Sequence, residues 1–425
     1  MFRSLQQKIY KLLKRSEKYT KTDMVYLAKG GFWLTLYQGF SILTGFLLAI
    51  AFANLLPKET YGTYKYILSI ASLLSIPTLS GINTAITQAV ARGFEQSFYP
   101  ALKTKIKWGL LGGVASLFLA LYYYTNDNNT LTISFLIVAL FTPFMDPLSL
   151  YTSYLSGKKE FRILSKYNII TRVFDAIVLG VVIYFTSNLF LLVAAYFIAN
   201  TTIRFIFFKL TTKNFPIHHK YDPSTLSYGK HLSLMNIITT IAGQLDKVLV
   251  FHYLGAVDLA IFSFAIIMPE HIKGIFKNIN ALAFPKFSEN HTTAEIKKTI
   301  FKKMGKLLIL ATAITIVYVV ASPYIFRWLF PEYIESIFYS QIFAISIILL
   351  PITGLMLTAL QAQKAQKELY QFNIYSSITQ IVILFFFIYF YGLMGMIVAR
   401  IVIRFISGAI SIALLNKAAA KSTSA

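Results

Sequence analysis

Ala199-Asn200-Thr201-Thr202-Ile203-Arg204-Phe205-Ile206 returns 200 residues later as Ala399-Arg400-Ile401-Val402-Ile403-Arg404-Phe405-Ile406, with five of the eight positions identical. Each stretch lies inside an apolar run of about 20 residues, the length that crosses a bilayer core as a helix. A cation at the centre of such a helix costs roughly 2.5–3.5 kcal/mol on insertion scales. An arginine repeated there in matched surroundings points to two halves of one design and to a positively charged interior. Both features suggest a transporter.

Composition agrees. The chain has 425 residues, 56% of them hydrophobic and 13% charged, with a mean hydropathy of +0.62. A soluble protein carries about 25% charged residues, so this balance is that of a membrane protein. The absence of cysteine excludes disulfides, thiolate metal sites and cysteine nucleophiles. Runs long enough to span fall near 31–54, 64–87, 108–124, 131–155, 167–186 and 188–208, then near 231–254, 256–277, 304–322, 336–360, 369–391 and 392–416. They lack the period-two alternation of membrane strands. The expected organisation is a basic cytoplasmic amphipathic segment (1–30), a six-helix bundle (31–208), a cytoplasmic linker (209–230), a second six-helix bundle (231–416) and a short tail (417–425). The first run is too long for the apolar region of a signal peptide.

Charge sets the orientation. Of 40 Lys and Arg, 32 fall on one side of these spans and three (Lys58, Lys65, Arg327) on the other. The positive-inside rule then puts both termini in the cytoplasm. The net charge of +23 is thus topology, not a nucleic-acid signal. In 1–27, Leu5, Ile9, Leu12 and Leu13 alternate with lysines and Arg15, a pattern for lying on an anionic inner leaflet or for a plain topogenic tail. Residues 286–303 read as a similar surface helix.

The repeat extends beyond the arginines. Leu155, Lys159, Leu164, Asn168 and Ile169 match Leu360, Lys364, Leu369, Asn373 and Ile374 at an offset of 205. A weaker pairing sets Leu55–Tyr64 against Tyr253–Phe262. Six spans per half is an even number, so both halves enter from the same face and the repeat is parallel. In transporters of this construction the substrate site lies near the midplane between the halves.

Five cations lie within spans: Arg172, Arg204, Lys247, Arg400 and Arg404. Arg172 and Asp175, three apart, either neutralise one another or line a cavity. Arg204 sits toward the cytoplasmic end, where snorkelling to headgroups is the plainer alternative. Arg400 and Arg404 stack on one helix face and repel unless an anion or a partner carboxylate sits between them. Asp246 and Lys247 offer a salt bridge that gates the outer end. Asp146 stands between Pro143 and Pro147, and Glu270 follows Pro269. Intramembrane charges mark functional pathways by default. Arginine suits phosphate, which its planar fork binds bidentately. No phosphate-binding Gly-x-x-x-x-Gly-Lys-Ser/Thr loop and no metal-ligand spacing occurs, and no large loop carries convergent carboxylates, which argues against an enzyme.

The chain resembles the polysaccharide flippases of the O-antigen type, in the oligosaccharide-lipid exporter family, which share a superfamily with multidrug/toxin extrusion transporters. The likeness rests on Asn54-Leu55-Leu56-Pro57-Lys58-Glu59-Thr60-Tyr61-Gly62-Thr63-Tyr64, on Gly81 and Arg92, and on Ser156-Gly157-Lys158-Lys159-Glu160-Phe161. It continues in Asp246-Lys247 through Leu254-Gly255 and in Phe284-Pro285-Lys286-Phe287-Ser288. Pro57 and Pro331 stand where the family usually has glycine, and Phe262 where it has tyrosine. The resemblance implies an all-α integral membrane fold, two six-helix bundles in a V around a cationic cavity. It also implies that an undecaprenyl-pyrophosphate-linked oligosaccharide is flipped from the inner to the outer leaflet of a bacterial inner membrane, for surface polysaccharide or lipopolysaccharide synthesis. On that reading Arg172, Arg204, Lys247, Arg400 and Arg404 hold pyrophosphate, and Asp175 and Asp246 meet sugar, cation or a gating partner. No cofactor is expected; Na or H is the candidate coupling ion, and membrane lipids and a polysaccharide polymerase are candidate partners. A drug/cation antiporter of the same fold is the nearest rival, and its cargo would want free carboxylates. A non-transporting membrane scaffold is the more distant one.

Overall fold

The computed structural model describes residues 24–423 apart from 216, 218, 219 and 289–292. Most of the expected amphipathic segment 1–30, and parts of the linker and of the surface helix 286–303, therefore lie outside the described residues. Among the described residues the secondary structure is helical throughout, with no strand. In chain order the α-helices are α1 (Met24–Leu55), α2 (Lys58–Leu74), α3 (Gly81–Ala91), α4 (Phe98–Thr125), α5 (Asn129–Leu148), α6 (Leu150–Gly157) and α7 (Phe161–Phe185). They continue as α8 (Leu189–Asn214), α9 (Ser224–Leu254), α10 (Ala256–Ser288), α11 (Thr293–Leu329), α12 (Ser336–Ala344), α13 (Leu350–Ala362) and α14 (Gln366–Thr423).

The expected runs all fall on these helices, but not one to one. Among the described residues nine helices are long and apolar enough to cross a membrane, or ten if the bent pair Lys58–Thr78 and Gly81–Ala91, at 51°, is one span. That bend follows Leu79, whose φ of 60° no helix accommodates. The runs 369–391 and 392–416 share α14, which breaks at Gly392 (φ 54°, ψ −138°). The run 256–277 is helical in α10 but is not among the nine; Glu270 and Lys273 interrupt its apolar course.

Contacts divide the chain into two compact units that differ from the sequence halves 31–208 and 231–416. The first holds the chain up to Ala49 with Pro77–Phe185 and Phe190–Leu234; the second holds Ile50–Ile76, Thr186–Leu189 and everything from Met235. Residues 50–76 join the second unit because α2 packs on α10. A Cβ on Gly62 would run into the carbonyl of Ala256, so only glycine permits that approach. Tyr66 stacks on Phe251 at 3.9 Å between centroids, and Tyr61 lies 5.0 Å from Phe264.

The sequence repeat has a structural counterpart in two turns. After α6, the N–H groups of Lys158, Lys159 and Glu160 bond to Tyr154, Ser156 and Leu155 carbonyls at 2.9, 3.1 and 2.9 Å. After α13, those of Gln363, Lys364 and Ala365 bond to Ala359, Gln361 and Leu360 at 3.0, 3.1 and 2.9 Å. Lys159 and Lys364 both take the left-handed conformation, with φ of 64° and 54°. The same residues that align in sequence thus terminate their helices by the same hydrogen-bond pattern.

Within the first unit, α4 and α5 meet through small residues. A Cβ on Gly109 would come within 3.1 Å of Pro143 Cα, and one on Gly113 within 3.0 Å of the Ala139 carbonyl oxygen. This spacing of two glycines four apart lets helix backbones approach in membranes. Pro143 has no N–H for that Ala139 carbonyl.

Candidate functional site

Each unit gathers embedded charges around its copy of the repeated arginine. In the first unit Arg204, on α8, donates Nη1–H to the carbonyl of Met145 at 2.9 Å and Nη2–H to Asn200 Oδ1 at 3.4 Å. Met145 lies in the last turn of α5, where carbonyls lack intrahelical donors. Arg204 is therefore engaged by groups of its own unit. Asp146, beside it, accepts from Lys105 Nζ at 2.8 Å and from Thr78 Oγ1 at 2.6 Å. Lys105 has no exposed side-chain surface.

Arg172 and Asp175, on α7, diverge. Asp175 is buried and its Oδ1 has no hydrogen-bond partner, while Arg172 is exposed. No ion pair within 4.0 Å joins them. Positions three apart share a helix face only approximately, and here one side chain turns inward and the other out.

The second unit builds a denser cluster. Arg400 and Arg404 extend from α14 toward one carboxylate, Glu270 of α10. Arg400 Nη2 is 3.0 Å from Glu270 Oε1, and Arg404 Nη2 bonds the same oxygen. Arg400 Nη1 reaches Asp246 Oδ2 of α9 at 2.9 Å, and Arg404 Nη1 reaches Ser346 Oγ at 2.5 Å. Both guanidiniums lie over the Phe343 ring, at 5.2 and 4.8 Å. The repulsion expected of two arginines on one face is thus answered by a carboxylate between them.

The Asp246–Lys247 bridge does not form. Adjacent helical residues point about 100° apart, and Asp246 turns to Arg400 while Lys247 Nζ donates to Gln244 Oε1 at 3.0 Å. Among the described residues Lys247 makes no ion pair, and neither does Lys65, whose Nζ stands 5.2 Å above the Tyr61 ring. Gln244 also donates to Ser72 Oγ at 3.3 Å, tying α9 to α2. Lys65 is near enough to Lys247 for their charges to interact.

Six of the seven expected site residues thus join two networks, Arg204 in one with Asp175 beside it, against Asn200, and Asp246, Lys247, Arg400 and Arg404 in or beside the other. Arg172 is turned outward. Sequence reasoning missed Glu270, Lys105 and Lys65 as members. Glu270 carried a signal, as a carboxylate next to a proline at membrane depth. Lys105 lies three residues before the expected span 108–124, and Lys65, at the edge of the span 64–87, counts with the cations of the loop before it. Among the described residues no group of three or more His, Asp or Glu is arranged to hold a metal ion.

Against known proteins, residues 27–291 match the family model described as polysaccharide biosynthesis protein. No protein with a curated description matches in sequence. Among solved structures, the lipid II flippase MurJ in an inward closed conformation is 13% identical with a TM-score of 0.71, over 92% of this chain and 90% of that one. A multidrug resistance MATE family transporter of the MOP superfamily, inward-facing, is 10% identical with a TM-score of 0.66, over 90% and 96%. A MOP superfamily transporter from Pyrococcus furiosus, reported with a binding pocket of reversed polarity, is 11% identical with a TM-score of 0.56, over 92% and 95%. The fold is that of these transporters.

Proposed function

Because this chain belongs to the polysaccharide biosynthesis protein family, a multi-pass membrane protein with a MurJ- and MATE-like transporter fold, we propose that it is a flippase for a lipid-linked oligosaccharide. Its cargo would be an oligosaccharide on polyprenyl pyrophosphate, carried from the cytoplasmic to the outer leaflet of a bacterial inner membrane. Surface polysaccharide, O-antigen included, would be the destination, and a polymerase the downstream partner. Both termini would be cytoplasmic, each half of the chain would act as one bundle, and alternating access would carry the headgroup across while the polyprenyl tail stays in lipid. No covalent chemistry is involved. A Na or H gradient is the candidate drive.

The observation that carries this reading is the shared oxygen. Two guanidiniums converge on one acceptor atom, Glu270 Oε1, an arrangement prepared for a bridging oxyanion such as a diphosphate. Lys65 and Lys247, which among the described residues form no ion pair, would add charge for the second phosphate. A cation exporter would instead need carboxylates free for its cargo, and in this cluster both carboxylates are held by arginine. The test is the double variant R400A/R404A, with insertion verified by membrane fractionation. Surface polysaccharide should be lost; normal display would sink the reading.

A further inference from the structure

Glu270 differs from the other partners of the arginine pair. Arg400 is also held by Asp246, Arg404 by Ser346, and both rest on Phe343. Those three contacts would keep both guanidiniums oriented if Glu270 left. Its side chain is 27% exposed, whereas that of Asp246 is 6% exposed. Among the described residues its second oxygen, Oε2, pairs with Lys273 Nζ alone, at 3.8 Å, and that lysine is 61% exposed. Glu270 also follows Pro269 in α10, and the missing proline N–H removes one backbone bond from the turn that carries it.

We propose that Glu270 is an exchangeable counter-ion, standing where the ligand's diphosphate binds and leaving when it arrives. This rests on the flippase reading and names the selectivity device of that site. A tethered carboxylate competes at high effective concentration. A singly charged or small oxyanion gains too little from the two arginines to displace it. A diphosphate presents more acceptor oxygens and more charge, and reaches both forks at once. Glu270 would therefore set a threshold that rejects orthophosphate and other free anions of the cytoplasm. On release, Glu270 would swing toward Lys273, already 3.8 Å from its second oxygen.

The experiment measures binding calorimetrically on the full chain in nanodiscs of neutral lipid, with inorganic pyrophosphate and orthophosphate as probes. In the wild type, pyrophosphate should bind and orthophosphate should bind at least about tenfold more weakly, a gap of about 1.4 kcal/mol. In E270Q, pyrophosphate should tighten by about tenfold and orthophosphate by more, so that the preference narrows. Should E270Q not fold, E270D retains the charge on a shorter arm and should tighten pyrophosphate by a smaller factor. Unchanged or weaker pyrophosphate binding in the folded variant overturns the proposal. The flippase reading fails separately, through normal polysaccharide display in R400A/R404A cells. Loss of display there, together with unchanged pyrophosphate binding in E270Q, removes only the counter-ion.

Discussion

Arg204 and Arg404 start from the same local sequence and reach equivalent places, Met145 in one unit and Ser346 in the other, one residue off the 200-residue spacing. Their partners differ in charge. Arg204 bonds a backbone carbonyl and the neutral amide of Asn200; Arg404 bonds a hydroxyl and a carboxylate that it shares with Arg400. The single exchange at the repeat position, Asn200 against Arg400, accounts for this. One arginine near helix-end carbonyls can be satisfied by dipoles. Two arginines one turn apart require anions, and Asp246 and Glu270 supply them. In the first unit the carboxylate Asp146 is occupied by Lys105 instead, and Asp175 lies near Arg204 against Asn200 without bonding it, so among the described residues no carboxylate bonds Arg204 directly. A common frame thus supports a fixed polar junction in one unit and a charge-dense cluster in the other.

The comparison breaks most readily at the arginines themselves. Polysaccharide display, measured per inserted molecule, should fall by about 100-fold or more in R400A/R404A, equivalent to roughly 3 kcal/mol of lost transition-state or binding energy. R204A should reduce it only by a few-fold, and equal losses would erase the distinction between the units. Next comes K105M, which leaves Asp146, itself 31% exposed, without its fully buried cation. Removing one partner of a buried pair costs about 3–5 kcal/mol, and the exposure of Asp146 puts this loss at the lower end, so thermal unfolding in detergent should shift down while transport per folded molecule stays near wild type. A transport defect without a stability defect would move Lys105 from the structural junction into the pathway. Smaller again is the stability change in R204A, about 1.5–3 kcal/mol for a lost charge-assisted bond, read by the same melt. The least effect should come from K159G and K364G. Each relieves a left-handed lysine and should stabilise its helix end by under about 1 kcal/mol. Equal shifts support the structural repeat; a shift in one alone would show that the two turns have separated in role.

Much of the fold was legible because its signals are local. Hydropathy, the glycine at 392 and the prolines of α5 act over one or two helical turns, and the alignment of Lys159 with Lys364 marked turns that do prove alike. Where local signals misled, the reason was also physical. Lys105 and Lys65 lie at run edges, where hydropathy fades over several residues while the helix continues. Leu79 gives no compositional sign of the bend it makes. Hydropathy also gives no sign that Arg204 bonds the Met145 carbonyl, because that acceptor lies on another helix, 59 residues away.

By itself the sequence determined that this chain is a helical membrane protein with a duplicated frame and cations at depth, since the cost of charge in hydrocarbon is paid residue by residue. It also established that Arg400 and Arg404 share a face and need an anion between them. Only the tertiary structure decided which anion. Glu270 lies 134 residues from Arg404, and Asp246 lies 154 from Arg400. Helical periodicity fixes the direction in which a side chain leaves its own helix, whereas its partner depends on which helices pack together, and over such separations that is set by the whole core.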